Sequence, residues 1–271
     1  TTLFRSDQLG GSGHRIVSND AYSLGGGGIY AGAGDRKTLT PGNIEILNNK
    51  IHDFNRVEKV DAPGILVNGA GNRAAHNLVF NSTHMAILVY GNDHIIEKNE
   101  IHDVVKEASD AGALYMGRNP SEAGNVIRHN FFHHIETGFA GGPGAQAIFL
   151  DDGTSGQHVY GNVFYKTGNA AVKLHGGKHN LIENNIYIDM TTANFFQLWT
   201  LENWMGQMNG NLFKTRLLTD VNILAPPYSV KYPTLATYYD ENRKAAPVPV
   251  DSNIVRNNVT VRTKNLLWGG A

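Results

Sequence analysis

The chain has 271 residues, 31 of them glycine, and a formal net charge of -1. This balance offers no basic surface for nucleic acid, and no apolar run reaches the length of a membrane-spanning helix. Because the chain has no cysteine, disulfides and thiolate metal sites are excluded. The composition therefore predicts one soluble domain with neither nucleic acid nor membrane as a partner.

A short phrase recurs along the chain: a glycine or asparagine, a few mixed residues, then an asparagine followed by an apolar run. GNIEILNNKIHDF and GNVIRHNFFHHI are two examples. The repeated residues are Asn19, Asn49, Asn77, Asn99, Asn130, Asn162, Asn185 and Asn258. They lie 22 to 32 residues apart as far as Asn185, and the last gap is 73. Such a period predicts a solenoid, because one unit cannot bury its own apolar face.

Each repeat also has a second apolar run, such as GILV at 64–67, AILV at 86–89 and AIFL at 147–150. Apolar positions alternate in runs too short for helices, which is typical of strands. Two or three short strands per turn predict an all-β parallel β-helix. We expect the repeated asparagines to stack at the bends and bond to one another, a structural role. The twelve histidines lack zinc-site spacing, and we expect most to be solvated or in turns.

The first six residues, TTLFRS, resemble the translation of a common sequencing adaptor. We therefore expect natural upstream sequence to be missing and the first coil to be uncapped. An uncapped coil exposes strand edges, which predicts self-association through the solenoid ends.

Residues 191–252 interrupt the repeat. This excursion contains Trp199 and Trp204, a predicted short helix near 212–221, the Pro226-Pro227-Tyr228 turn and a predicted helix at 231–240. Such a segment either covers the core or walls a groove, and its aromatic residues favour a sugar-binding wall.

Strand alternation separates inward from outward residues. Ile65, Ile87, Leu114, Ile148 and Val172 align in an inward column, and a second one lies two residues further along. The first outward column is predicted to contain Leu66, Leu88, Tyr115, Phe149, Lys173 and Gln197. The second is predicted to contain Asn68, Tyr90, Gly117, Asp151, His175 and Trp199. Neighbours in a column lie roughly 4.8 Å apart, so Tyr115, Asp151, Lys173 and His175 should share one patch suited to a polysaccharide.

Two segments carry candidate catalytic carboxylates. SDAGALYMGR contains Asp110 and Arg118, and AIFLDDGTSG contains Asp151 and Asp152. Glycoside hydrolysis needs one carboxyl group as proton donor and another as nucleophile or base. Asp110 and Asp151 belong to neighbouring coils at opposite strand ends. They therefore form a pair only where the loop before Gly112 folds back over the face.

The remaining candidates would bind substrate. Arg118 binds a substrate carboxylate or pairs with Asp151 or Asp152, and Asp152 is alternatively a turn residue. His84, His134 and His175 line the groove or are solvated. Tyr90, Tyr115 and Trp199 stack on sugars or cover their neighbours.

The run from residue 25 to 190, with GGGIYAGAGDR, DAGALYMGR and AIFLDDGTSG, resembles the right-handed β-helix proteins of glycoside hydrolase family 141. PPYSVKYPTL resembles the same group. The resemblance implies xylanase or α-L-fucosidase activity on a plant or algal polysaccharide, and a catalytic pair of aspartates that match Asp110 and Asp151. It implies no cofactor and an extracytoplasmic location. Members of that family are usually longer and have an N-terminal β-rich portion.

Two other functions suit the same scaffold. A polysaccharide lyase or epimerase would use Lys173 or His175 as base and a cation at Asp151 and Asp152 to neutralise a uronate. A non-catalytic solenoid would bind glycans and release no products.

Overall fold

The computed structural model describes residues 11–139, 142–249 and 252–270. These residues form a parallel β-helix, as predicted, in which successive coils add strands to three sheets that run along the solenoid. The adaptor-like hexapeptide lies outside the described residues. Among the residues described, no helix is both long enough and apolar enough to cross a bilayer.

We name the sheets A, B and C in the order in which a coil visits them. Sheet A contains Arg15–Val17, Glu45–Leu47, Arg73–Ala75, Ile95–Glu97, Val126–Arg128, His158–Tyr160, Leu181–Glu183 and Ile254–Arg256. Sheet B contains Asp20–Tyr22, Lys50–Phe54, Leu78–Ser82, Glu100–His102, Phe131–His133, Val163–Tyr165, Ile186–Ile188 and Val259–Val261. Sheet C contains Ile29–Asp35, Ile65–Gly69, Ile87–Val89, Ala111–Gly117, Ala145–Asp151, Ala170–His175, Thr192–Gln197 and Asn265–Gly270, with Thr40–Pro41 antiparallel at one edge.

The repeated asparagines lie at the corner between sheets A and B. There the chain turns through a residue with positive φ, such as Lys98 at 55°, directly before the asparagine. Asn99 Nδ2 donates to Asn130 Oδ1 over 2.9 Å, and Asn130 Nδ2 donates to Asn162 Oδ1 over 3.0 Å. The predicted asparagine ladder is confirmed, and it satisfies backbone groups that a bend would otherwise bury without partners.

A second polar ladder, which the sequence analysis missed, lies at the corner between sheets C and A. It consists of Asn72, His94, Asn125, Gln157, Asn180 and Asn253. Burial lowers the pKa of His94 to about 4, so its imidazole is neutral. Its Nδ1 accepts from the Asn72 N–H over 3.0 Å, and its Nε2 lies 2.9 Å from the Tyr90 carbonyl. His94 therefore lies in a turn, as expected for most of the histidines, but is buried rather than solvated.

The inward columns are confirmed, since Ile65, Ile87, Leu114, Ile148 and Val172 are fully buried in one continuous core. The predicted alignment of the next strand is wrong by two residues. Lys173 pairs with Phe195, and His175 pairs with Gln197. A slip of two residues keeps every side chain on its own face, so alternation alone does not reveal it.

The excursion leaves the solenoid after Gln197 rather than at residue 191, because Thr192–Gln197 is still a strand of sheet C. It contains helices at Leu201–Asn209, Asn211–Lys214, Tyr228–Lys231 and Pro233–Ala236, with a π-helical turn at Thr215–Thr219. Its apolar core includes Trp199, Trp204, Tyr228 and Tyr238 and packs against Ala123 of the solenoid. The excursion therefore lies against the corner at which the sheet C strands end.

Candidate active site on the outer face of sheet C

Asp151 ends the strand Ala145–Asp151 and is 8% exposed. Its Oδ2 accepts a hydrogen bond from the Tyr115 hydroxyl over 2.7 Å. Its Oδ1 accepts from the Asp152 backbone N–H over 2.9 Å and lies 3.1 Å from His175 Nδ1. Burial favours the neutral acid, but the bonds from His175 and Tyr115 outweigh it and lower the pKa of Asp151. Asp151 is therefore an ionised carboxylate in a largely dry site.

Gly117 makes the contact between Tyr115 and Asp151 possible. Gly117 pairs with Asp151 across sheet C, and a Cβ added to it would lie 2.5 Å from the Tyr115 hydroxyl oxygen. Only the missing side chain lets the phenol pass over this position. Burial, and then the bond to Asp151, raise the pKa of Tyr115, so the phenol stays protonated and donates.

His175 lies next to Asp151 on the adjacent strand. Its Nδ1 is 3.0 Å from Asp152 Oδ1 as well as 3.1 Å from Asp151 Oδ1, and these bonds raise the pKa of His175 to about 9. Trp199 Nε1–H donates to His175 Nε2 over 3.2 Å. An imidazolium has no acceptor nitrogen, so the indole bond opposes this rise. The neutral ring with its proton on Nδ1 satisfies all three contacts.

Arg118 pairs with Asp152, one of the alternatives that the sequence left open. Its Nε lies 3.1 Å from Asp152 Oδ2, and its side chain is 63% exposed. Asp152 is a turn residue with φ 34°. It links Arg118 to His175 and so belongs to the same cluster as Asp151.

Asp110 directly precedes the strand Ala111–Gly117 and has φ 54°. Its Oδ1 lies 2.7 Å from Lys173 Nζ, and Lys173 is 2% exposed, with its ammonium 4.2 Å from the centre of the Phe149 ring. The loop before Gly112 therefore brings Asp110 to the outward column of sheet C. Asp110 contacts Lys173 and Asp151 contacts His175, two positions apart on one strand, or roughly 7 Å along it.

Trp199 does not present a sugar-stacking surface, which corrects that prediction. It is 8% exposed and belongs to the core of the excursion. Its ring covers Gly153 and Gly176, and a Cβ at Gly176 would lie 2.2 Å from the indole. Its indole N–H instead orients His175. Tyr90 is partly exposed on the outward side of sheet C, close to where its strand ends.

His84 and His134 have no described contact with the Asp151 cluster. His84 is 9% exposed, its Nδ1 accepts from the Asp61 N–H over 3.2 Å, and burial lowers its pKa. His134 follows the sheet B strand Phe131–His133, and its contacts are with His133 and Tyr165. These contacts do not support the prediction that His84 and His134 bind substrate beside Asp151. A surface depression that includes Arg56, Lys59 and Lys106 also lies at the corner between sheets B and C, apart from Asp151.

A buried carboxyl group that the sequence did not indicate lies between the strands Ala111–Gly117 and Val126–Arg128. Glu122 is 5% exposed, 3.4 Å from Arg36 Nη1 and 3.3 Å from Asn119 Nδ2. Burial raises the pKa of Glu122 to about 7, and its charge contributes to the raised pKa of Tyr90. Arg36 also donates to Asn92 over 3.0 Å. In the sequence, PSEAG reads as an exposed turn, and nothing in it signals burial.

The donor atoms of Asp151, Asp152 and His175 lie within 4.8 Å of one another. Such a set could hold a cation, and carboxylate oxygens suit calcium. Arg118 and Tyr115 already contact two of the oxygens. A cation would therefore compete with the Arg118 guanidinium.

Residues 63–212 match a family model described as a right handed beta helix region. The chain belongs to this family. The matched segment contains Asp110, Asp151 and His175 and fixes the handedness of the solenoid. Comparison with curated proteins found no match, and comparison with solved structures found none either. The right-handed β-helix is common to glycoside hydrolases, lyases and binding proteins, so membership alone does not choose among them.

Proposed function

We propose that this right-handed β-helix protein is a glycoside hydrolase that cleaves a plant or algal polysaccharide on the outer face of sheet C. The observation that carries the proposal is the buried, ionised carboxylate of Asp151, held by Tyr115 and His175. The resemblance to glycoside hydrolase family 141 favours xylan- or fucose-containing glycans as substrates.

The proposal assigns different roles to the two aspartates. Asp151, with its lowered pKa, acts as nucleophile or base. Asp110, whose side chain is 57% exposed, passes a proton to the leaving oxygen, and the Lys173 ammonium 2.7 Å from its Oδ1 supplies that proton. Tyr115 and His175 position Asp151. Arg118, which pairs with Asp152, is exposed at the edge of the cluster, where it contacts hydroxyl or carboxyl groups of the glycan. Lys173 is buried and contacts Asp110 rather than the glycan.

Two carboxyl groups are sufficient for this reaction, so the proposal requires no cofactor. A polymeric glycan is too large to diffuse across a membrane. The proposal therefore includes action outside the cytoplasm.

The purified chain is tested on xylans, fucose-containing glycans, uronate-containing glycans and aryl glycosides, with reducing ends and unsaturated products measured together. Asp151→Asn is expected to lower turnover about 10³-fold on all hydrolysed substrates. Asp110→Asn is expected to impair natural substrates more than aryl glycosides, whose leaving groups need little protonation. Asp220→Asn, at an exposed position of the excursion, is the control. Full turnover by Asp151→Asn would refute the assignment.

A lyase or epimerase is the second candidate, and the cation-compatible cluster of Asp151, Asp152 and His175 favours it. A cation there would neutralise a uronate carboxylate, and Lys173 would remove the neighbouring proton after giving its own to Asp110. Unsaturated products that disappear on chelation would replace the hydrolase proposal. Retention of glycans without any product would instead indicate a binding protein.

A further inference from the structure

A ladder of stacked rings runs along the outer face of sheet B, away from the Asp151 cluster. It consists of Tyr22, His52, Phe80, His102 and His133, with ring centres 4.6 to 5.4 Å apart. His102 and His133 are directly paired in adjacent coils. Glu100 lies two residues before His102 and therefore on the same face.

We propose that Glu100, His102 and His133 form a binding site for a divalent transition metal that links two adjacent coils. The donor atoms of the three side chains lie within 4.8 Å of one another. Two imidazoles and a carboxylate suit zinc, nickel, cobalt or copper better than calcium or magnesium. Three protein ligands leave a coordination position for water.

The partner of His102 prepares its free nitrogen for a metal. His102 Nδ1 lies 2.6 Å from Asp103 Oδ2, which places the proton on Nδ1 and leaves the Nε2 lone pair free. This carboxylate–histidine arrangement is the usual outer contact of a metal-binding histidine. Asp103 thus supplies an observation that is independent of the clustering itself.

His133 is also suited to coordination. Its Nε2 lies 3.3 Å from Glu100 Oε1, and its Nδ1 lies 2.8 Å from His134 Nδ1. In the metal-free protein the Nε2–H donates to the Glu100 carboxylate, and a metal ion would displace that proton and be bound by both atoms.

The charges around the site leave room for a cation. Among the described residues, His133 is the one side chain in ion-pair contact with Glu100. The nearby Lys50 lies 3.7 Å from Asp20, and Lys106 donates to Asn81. Neither lysine occupies the site.

Coordination would change the ring stack measurably. The rings of His102 and His133 are 4.6 Å apart and inclined by 12°. A zinc ion bound at about 2.0 Å by each Nε2 must lie in the plane of both rings. The rings therefore turn toward each other on binding, and the stack opens.

His52 provides a matched control in the same ladder. Its Nδ1 lies 2.5 Å from Asp53, as His102 does from Asp103, but its Nε2 faces Asp20 at 3.2 Å. Its ring neighbours are Tyr22 and Phe80 rather than a second imidazole. His52→Ala therefore removes an equivalent histidine without touching the proposed ligands.

The test titrates untagged, chelator-stripped protein with Zn²⁺ by calorimetry and with Co²⁺ by absorbance. We expect one saturable site per chain. His102→Ala and His133→Ala should each weaken it at least 10-fold, as should Asp103→Asn through His102, whereas His52→Ala leaves it unchanged. Circular dichroism and denaturation midpoints check that each variant folds. Lack of saturable binding, or equal affinity in the His102→Ala, His133→Ala double variant, overturns the proposal, as does equal loss in His52→Ala.

Discussion

Replacement of Glu122 by glutamine should change how the stability of the protein depends on pH. Glu122 is buried, and burial raises its pKa from 4.5 to about 7 despite Arg36 nearby. A carboxyl group with a raised pKa is most favourable to folding while protonated. Its contribution is therefore complete below about pH 4.5 and is lost as the pH rises through 7.

The size of the effect follows from the shift. A change of 2.5 units at 1.36 kcal/mol each corresponds to roughly 3 kcal/mol of stability lost between pH 4.5 and values above 7. Glutamine resembles the neutral acid in shape and cannot ionise. The variant should therefore keep the stability that the original protein loses. Arg36 favours the ionised form of Glu122 and would give the opposite pH dependence of stability. Its Nη1 lies 3.4 Å from Glu122 Oε1, which is too far to offset the burial of the carboxyl group.

The assay is urea unfolding at intervals from pH 5 to 8.5, reported as the difference between the original chain and Glu122→Gln. The histidines titrate in both proteins and cancel in this difference. Glu241→Gln, at an exposed glutamate, controls for the change in net charge. A difference that is flat, or that favours the original chain as the pH rises, would show that Arg36 dominates and would refute the reasoning.

Three further predictions follow from the structure. Asn130→Ala should cost about 3 to 5 kcal/mol in urea unfolding, because it removes four buried hydrogen bonds, whereas Asn19→Ala at the exposed ladder end should cost less. Equal costs would count against the ladder. Trp199→Phe should raise the pKa of His175 further by about one unit in an NMR titration, because the neutral imidazole loses the hydrogen bond from the indole N–H. An unchanged pKa would contradict that hydrogen bond. Trp268 is 60% exposed on the last described coil and should promote concentration-dependent self-association. Sedimentation velocity should show less association for Trp268→Lys, and an original chain that is monomeric at every concentration would refute this prediction.

The fold was predictable because each coil repeats the same physical problem. Every turn needs a residue that satisfies the bend, and asparagine does so at Asn99, Asn130 and Asn162, which makes the period visible in the sequence. The second ladder solves the same problem with different residue types, His94 and Gln157 among them, and its period is therefore hidden.

The site was predictable only to the extent that alternation fixes it. Parity assigned Tyr115, Asp151 and His175 to the outer face of one sheet, and their contacts agree with that. The alternation of side chains along a strand carries no information about which loop or excursion residues cover the outer face of sheet C. Alternation therefore placed Trp199 in the outward column without showing whether it binds sugars or covers its neighbours, and it did not reveal the burial of Glu122.

The candidate site of this solenoid is built between coils rather than within one coil. Tyr115, Asp151 and His175 come from three successive strands, and they meet because stacking places residues of one column about one strand spacing apart. Tyr115 and Asp151 belong to different outward columns, so strand spacing alone would not bring them into contact. Gly117 removes the side chain that would keep the phenol from Asp151. The same stacking brings His102 and His133 together on sheet B, so outward columns of paired polar residues are where this fold can acquire a site without disturbing its core.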